Sequence, residues 1–242
     1  MDSQQNKIAY ITGASSGIGE ALVHLLSEEG YFVVGISRSK MDAKPGYIHL
    51  SIDLSDIQQI NAFRFNHQAE EMLLVNNAGS IGDILPVGKN TQEKLAEVAI
   101  LNILAPEILM NTFIQQFQGK IKKGHLLNIS SGAGKYPVDS WAPYCASKAA
   151  LDLFSETVQQ EFNTRNNQNW FCHSIAPGVV DTPMQKVIRS ADPDEFQALQ
   201  KFLDLKENEA LSSPRAVAQK LYRVIKNPAS FREVILSVRD FD

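Results

Sequence analysis

The sequence predicts an α/β fold: a doubly wound, mostly parallel sheet of seven strands with helices on both faces. Three observations lead to it. Short apolar, β-rich runs alternate along the chain with segments whose apolar residues recur at helical spacing. The stretches between successive strands are long enough to be crossovers, which parallel pairing requires and which cover the sheet on both sides. The 242 residues are 44% hydrophobic and 21% charged, an ordinary globular composition. A chain of this length buries roughly 70–75% of its unfolded surface, enough for a substantial core.

Each element has its own signal. Residues 7–11 read as the first strand and run into a glycine-rich turn. Over 17–29, Ile18, Leu22, Leu25 and Leu26 fall on one helical face, and Gly30 stops the helix. Residues 31–36 and 47–52 are the next two strands. A helix over 55–68 begins at Ser55 or Asp56, both good capping residues. The strand over 72–75 ends in Asn76-Asn77-Ala78-Gly79, and 91–118 is a long helix that Pro106 should kink. A strand over 125–129, a helix over 144–163 and a strand over 170–175 follow. Residues 183–208 are helical but irregular. The charged segment 183–213, with Pro183 and Pro193, reads as an insertion over one edge that covers the substrate. Pro214 suits the first turn of a helix reaching 226, and 232–238 is the last strand. With no repeat, low-complexity stretch or linker, residues 1–242 are expected to form a single domain.

Charge and composition exclude other classes. Against 27 acidic residues stand 23 basic ones, a net charge of −4 with no basic cluster, so nucleic acid is not the expected partner. No apolar run is expected to reach the ~20 residues of a membrane helix, and the first residues lack the pattern of a secretory signal. Cys145 and Cys172 form no CxxC or zinc spacing and fit a reducing cytoplasm. No metal site and no G-x-S-x-G elbow is expected, which argues against a zinc dehydrogenase and a serine hydrolase. Cys145 is expected to be a small packing residue.

The turn after the first strand is Thr12-Gly13-Ala14-Ser15-Ser16-Gly17-Ile18-Gly19. Glycines there close the turn and let a dinucleotide pyrophosphate approach the backbone and the helix N-terminus. The strand–turn–helix context makes the arrangement Rossmann-like. The spacing is G-x-x-x-G-x-G, and in that form it resembles the opening motif of the short-chain dehydrogenase/reductase family. Further motifs match in order: Asn76-Asn77-Ala78-Gly79; Asn102; Ser131 at a strand end; Tyr144-Cys145-Ala146-Ser147-Lys148; and Pro177-Gly178 with Thr182. The stretches 129–135, 176–182 and 205–214 resemble the branch of sepiapterin and benzil reductases.

The resemblance implies a carbonyl reductase that transfers hydride from NADPH to one carbonyl of an α-dicarbonyl. Tyr144 would donate the proton, Ser131 would hold the carbonyl oxygen, Lys148 would grip the nicotinamide ribose, and Asn102 would hold a water that resupplies protons. Tyr144 and Lys148, four residues apart, share a helical face, and the ammonium is expected to draw the tyrosine toward working pH. Gly13, Ser15, Ser16, Gly17, Ile18, Gly19, Asn77, Gly79, Tyr144, Lys148, Pro177, Gly178, Val180 and Thr182 would line the cofactor. Cofactor choice is read at the end of the second strand, where Ser37-Arg38-Ser39-Lys40 carries no carboxylate. Arg38 offers a planar donor fork to a 2′-phosphate, so NADP(H) is expected, with Asp53 at the adenine. Ser16 departs from the basic residue that many NADP-preferring relatives carry in the turn. Tyr136, Trp141, Met184 and Phe202 are candidates for an apolar substrate wall, and Asp240 or Asp242 for an anchor of a pterin's guanidine-like edge. A homodimer, or a tetramer, is expected. Two other readings stay open: a different carbonyl or alcohol substrate such as a 3-oxoacyl compound, and a non-catalytic NADP-binding redox sensor.

Overall fold

The computed structural model describes residues 6–41 and 45–241. Among these, seven strands form one sheet: β1 (Lys7–Thr12), β2 (Phe32–Ser37), β3 (Tyr47–Ser51), β4 (Glu71–Asn76), β5 (Lys123–Ile129), β6 (Trp170–Ala176) and β7 (Ile235–Ser237). Their order is β3-β2-β1-β4-β5-β6-β7, and every neighbouring pair is parallel. The fold is thus Rossmann-like. The chain moves outward from β1 to β3 and then returns to β4 on the other side of β1. That reversal opens a crevice beyond the carboxyl ends of β1 and β4, where ligands of such sheets bind.

The two faces follow from side-chain alternation along the strands. Ala9 and Ile11 of β1 pack with Leu22 and Leu26 of α1 (Gly17–Glu28) and with Val217, Leu221 and Val224 of α8 (Pro214–Lys226). Ile8 and Tyr10 face the other way. They pack with Ile60 of α2 (Ile57–Ala62), Leu109 and Phe113 of α4 (Ala105–Phe117), and Leu151 and Val158 of α5 (Ala142–Thr164). Ser213 starts α8 with its hydroxyl accepting from the Ala216 N–H, and Pro214 occupies the first turn.

Several boundaries depart from expectation. The helix expected over 55–68 ends at Ala62, and the chain then runs extended. Phe63 and Phe65 are buried edge-on against Tyr10, and Phe65 also meets Phe113, so aromatic packing overrides helix continuation. Of the two caps, Asp56 is used, accepting from the amides of Gln58 and Gln59. The long helix over 91–118 is divided into α3 (Gln92–Ala99), a π turn (Ile100–Leu104) and α4. The widened turn lies just before Pro106, which has no N–H to give to the Asn102 carbonyl. Contrary to the expectation of no membrane-length apolar segment, Gln92–Phe117 is by length and composition apolar enough to cross a membrane. Val98, Ala105, Leu109, Met110, Phe113 and Phe117 of this run are buried in the protein. The irregular segment resolves into α6 (Pro183–Arg189) and α7 (Leu199–Glu207), and the last strand is only three residues long.

Candidate active site

A cleft of about 790 Å³ lies at the carboxyl end of the sheet. Gly13, Ser15, Ser16, Gly17 and Ile18 form one wall, whereas Gly19 does not line it. A Cβ at Gly19 would collide with the Gly13 carbonyl, so this glycine allows α1 to pack against its own turn. Gly17 has φ +57 and a Cβ there would meet Thr182 Cγ2 at 3.0 Å, so both conformation and space demand glycine. Ser16 is the N-cap of α1, yet its side chain makes no capping bond, leaving the first-turn amides to an external acceptor. These features fit a dinucleotide pyrophosphate.

Thr12, which sequence reasoning passed over, ties this wall to β4. Its hydroxyl accepts from the amides of Asn77 (2.9 Å) and Ala78 (3.0 Å). Asn77 Nδ2 donates in return to the Thr12 and Gly13 carbonyls at 3.0 and 3.1 Å. Asn77 and Gly79 line the cleft beside them. At the end of β2, Arg38 lies 4.0 Å from Asp53 and is 73% exposed, free to turn toward an anion. Asp53 is held below the usual carboxylate range chiefly by the Ser55 hydroxyl, with Arg38 a smaller contribution. Both residues line the cleft, as do Ser37 and Ser39.

Ser131, Tyr144 and Lys148 converge at the middle of the cleft. Ser131 follows β5 and caps the short turn Gly132–Gly134, its Oγ accepting from the Ala133 N–H at 3.2 Å. That bond occupies a lone pair and leaves the hydroxyl proton to donate. Tyr144 and Lys148 lie on the buried face of α5, and the Lys148 ammonium stands 5.7 Å from the centre of the Tyr144 ring. Lys148 Nζ donates to the Ile129 carbonyl at 2.8 Å. Burial pushes the Tyr144 phenol up to about 12, opposed by the Ser131 hydroxyl, and pushes Lys148 down to about 8, opposed by Asp152. The expectation that the ammonium draws Tyr144 toward neutrality is therefore corrected, because desolvation disfavours both charged forms.

Asn102 is 1% exposed and does not line the cleft. Its Oδ1 accepts from the Ser80 N–H at 2.9 Å, and its Nδ2 donates to the Ser80 carbonyl and to Ser147 Oγ. Ser147 Oγ then donates to the Tyr144 carbonyl at 2.8 Å. Both side-chain donors are spent on protein, so the Asn102 side chain braces the turn that carries Tyr144. Ser147, three residues from Tyr144 and on the same helical face, is a link whose spacing could have revealed it. Ser130, the neighbour that spacing sets aside in favour of Ser131, also lines the cleft, and its buried hydroxyl has no partner among the described residues.

Pro177, Gly178, Val180 and Thr182 close the far side of the cleft, followed by Met184 and Ile188 of α6 and Phe202 of α7. Trp141, the residue before α5, meets Tyr144 edge-on at 5.8 Å and packs on Phe196 and Phe202 at 5.7 and 5.3 Å. Of the four apolar candidates, Trp141, Met184 and Phe202 line the cleft, while Tyr136 is 71% exposed and does not. The Asp240 carboxylate accepts from the Ser237 amide at 3.0 Å; its neighbours Ser237 and Arg239 line the cleft, whereas Asp240 does not. Asp242 lies outside the described residues.

Residues 7–193 match the family model described as short chain dehydrogenase. The benzil reductase ((S)-benzoin forming) of Bacillus subtilis (strain 168) is 34% identical over 91% of this chain and 93% of its own. The sepiapterin reductase of Xenopus laevis is 29% identical over 92% of this chain and 91% of its own. Among solved structures, 4-hydroxyisoleucine dehydrogenase complexed with NADH superposes with a TM-score of 0.77 at 27% identity, covering 96% of each chain. With sheet order, glycine turn and the Ser131–Tyr144–Lys148 cluster in agreement, the chain belongs to the short-chain dehydrogenase/reductase family, in the branch of the benzil and sepiapterin reductases, and is an oxidoreductase.

Proposed function

We propose that this protein is an NADPH-dependent carbonyl reductase acting on one carbonyl of an α-dicarbonyl. The observation that carries the reading is the meeting of Ser131, Tyr144 and Lys148 in one cleft, walled by glycine turn on one side and by Trp141 and Phe202 on the other. The kinship with benzil reductases supports the dicarbonyl, and the Arg38 fork after β2 supports the 2′-phosphate.

Gly13, Ser15, Ser16, Gly17, Ile18, Asn77 and Gly79 would hold the dinucleotide, with Arg38 and Asp53 at its adenosine end and Pro177, Gly178, Val180 and Thr182 at its nicotinamide end. When bound, NADPH supplies the hydride to the carbonyl carbon. Ser131 donates its hydroxyl proton in a hydrogen bond to the carbonyl oxygen and stabilises the charge developing there. Tyr144, with its phenol raised above the ordinary value, stays protonated at neutral pH and transfers its proton to that oxygen. Lys148, whose pKa of about 8 lies near working pH, returns a proton to the phenolate. Asn102 and Ser147 keep that helical turn in place. The domain is single, with 183–213 covering the substrate. Leu95, Leu104 and Leu153, exposed along α3, the π turn and α5, support pairing into a homodimer or tetramer, and the two free thiols suit the cytoplasm.

The test is oxidation of NADPH and of NADH by the purified protein with benzil, diacetyl, sepiapterin and an acetoacetyl thioester. NADPH-dependent turnover of the diketones is expected. Turnover only with NADH overturns the reading of Arg38, and turnover only of the thioester overturns the substrate class. Cofactor binding without any turnover points to a redox sensor.

A further inference from the structure

Six charged residues line the cleft: Arg38, Lys148, Lys201 and Arg239, against Asp53 and Glu97. The cleft is therefore cationic in a chain whose net charge is −4. Both carboxylates are already engaged, Asp53 with Ser55 and Arg38, and Glu97 with Lys94 at 2.9 Å. Arg38 lies at the end of β2, and Lys148 is committed to Ile129 and the reacting centre. The two cations left over sit on the wall built from the C-terminal part of the chain, Lys201 on α7 and Arg239 just after β7. Among the described residues neither side chain has a hydrogen-bond or ion-pair partner.

Arg239 is held ready by its surroundings. Its amide donates to the Ser237 hydroxyl at 3.2 Å, and its acidic neighbour Asp240 accepts from the Ser237 amide and forms no ion pair with the guanidinium. Its Nε stands 3.9 Å from where a Cβ of Gly178 would be, in the segment that closes the cleft beyond β6. Ser237 lines the cleft with it. Trp141 and Phe202 supply an apolar, aromatic surface elsewhere on the same wall.

We propose that Arg239 is a specificity residue for a carboxylate, so that the preferred substrate is an aromatic α-dicarbonyl bearing an anionic group remote from the reacting carbonyl. This deepens, and rests on, the reductase reading above. A guanidinium offers a carboxylate two parallel N–H donors, and the cationic cleft adds steering that salt screens. The alternative anion is a phosphate of the dinucleotide.

The experiment compares 1-phenyl-1,2-propanedione with its 4-carboxy derivative, a pair that share the reacting centre. Binding of each to the NADP+-loaded protein, which cannot pass hydride to a ketone, is measured by calorimetry, alongside kcat/KM with NADPH, at low and at moderate salt. The carboxylate is expected to bind about tenfold more tightly, the preference shrinking with salt. Arg239→Met should abolish the preference while leaving the neutral diketone and the NADPH Kd within about twofold. No preference in the wild type, or equal weakening of both ligands in Arg239→Met, overturns the proposal. So does a weakened NADPH Kd with the preference intact, which gives the guanidinium to the cofactor. Binding is read apart from turnover: a carboxylate preference without reduction of either diketone refutes the reductase reading alone, and reduction of both without preference refutes Arg239 alone.

Discussion

Tyr144 and Lys148 show how burial moves two neighbouring pKa values in opposite directions and at what cost. Tyr144→Phe removes only the hydroxyl and should lower turnover by 10²-fold or more, with NADPH binding nearly unchanged in a calorimetric titration. Retained turnover would refute the acid role. Lys148 has a pKa of about 8 in the fold against an ordinary 10.5, so between those values the folded state holds fewer protons than the unfolded one. Stability from this residue therefore rises as pH climbs from about 8 to 10.5, and the penalty for the buried ammonium is full below 8. Lys148→Met should abolish activity yet raise stability at pH 7 by about 1–2 kcal/mol in urea unfolding, and remove that alkaline rise. A less stable variant would mean that the Ile129 hydrogen bond outweighs the cost of burial. A family motif singled out these residues and their spacing put them on one helical face, but the direction of the Tyr144 shift was not legible. Spacing places an ammonium near a phenol; it does not say how dry the site is.

Among the elements, the junction of β1 and β4 decides whether the glycine turn is rigid. Thr12 supplies one hydroxyl to two amides of the neighbouring strand end. Thr12→Val keeps the shape and leaves both N–H groups without that acceptor. It should cost about 2–4 kcal/mol and weaken dinucleotide binding several-fold, and Thr12→Ser should restore most of both. Equal stability of Thr12→Val and wild type would show that water replaces the hydroxyl. The same scale explains Asn102. A family motif pointed to the residue, but its side chain is spent on Ser80 and Ser147, and the π turn that presents it cannot be read from a run of helix-forming residues. Pro106 signalled a disturbance in that helix; its form, a widened turn rather than a bend, depends on what α4 and α5 pack against.

For the molecule as a whole, acid sensitivity follows from a buried histidine pair that joins β5 and β6 to the segment before β7. His173 Nε2 lies 3.1 Å from the Phe231 carbonyl, which only accepts, so that nitrogen carries the proton. His173 Nδ1 must then accept from His125 Nε2 at 3.0 Å, and His125 Nδ1 is buried with no partner among the described residues. Both imidazoles are neutral, and burial is the main cause holding each pKa below its ordinary value. The unfolded chain takes up protons on both below about pH 6.5 while the folded one resists. Stability should thus fall by about 1–3 kcal/mol as pH drops from 7 to 5. Urea unfolding of His125→Leu/His173→Leu across that range should give a flatter profile; an unchanged slope would assign the acid sensitivity to carboxylates.

The division between chain and fold has a physical basis. Strand and helix identities and the glycine turn were legible because they rest on local periodicity and on backbone freedom at a glycine. Ser131, Tyr144 and Lys148 were singled out by their match to family motifs, and Arg38 by the lack of a carboxylate after the second strand. The early end of α2 at Ala62, the bracing of Asn102 and the exposure of an unpaired Arg239 were not legible. These depend on which distant side chains do or do not arrive beside them: Phe113 against Phe65, and Ser80 and Ser147 against Asn102. Contacts between residues far apart in the chain leave no periodicity in it, and burial, which sets the pKa of Tyr144 and Lys148, exists only once the sheet and its two helical layers have closed.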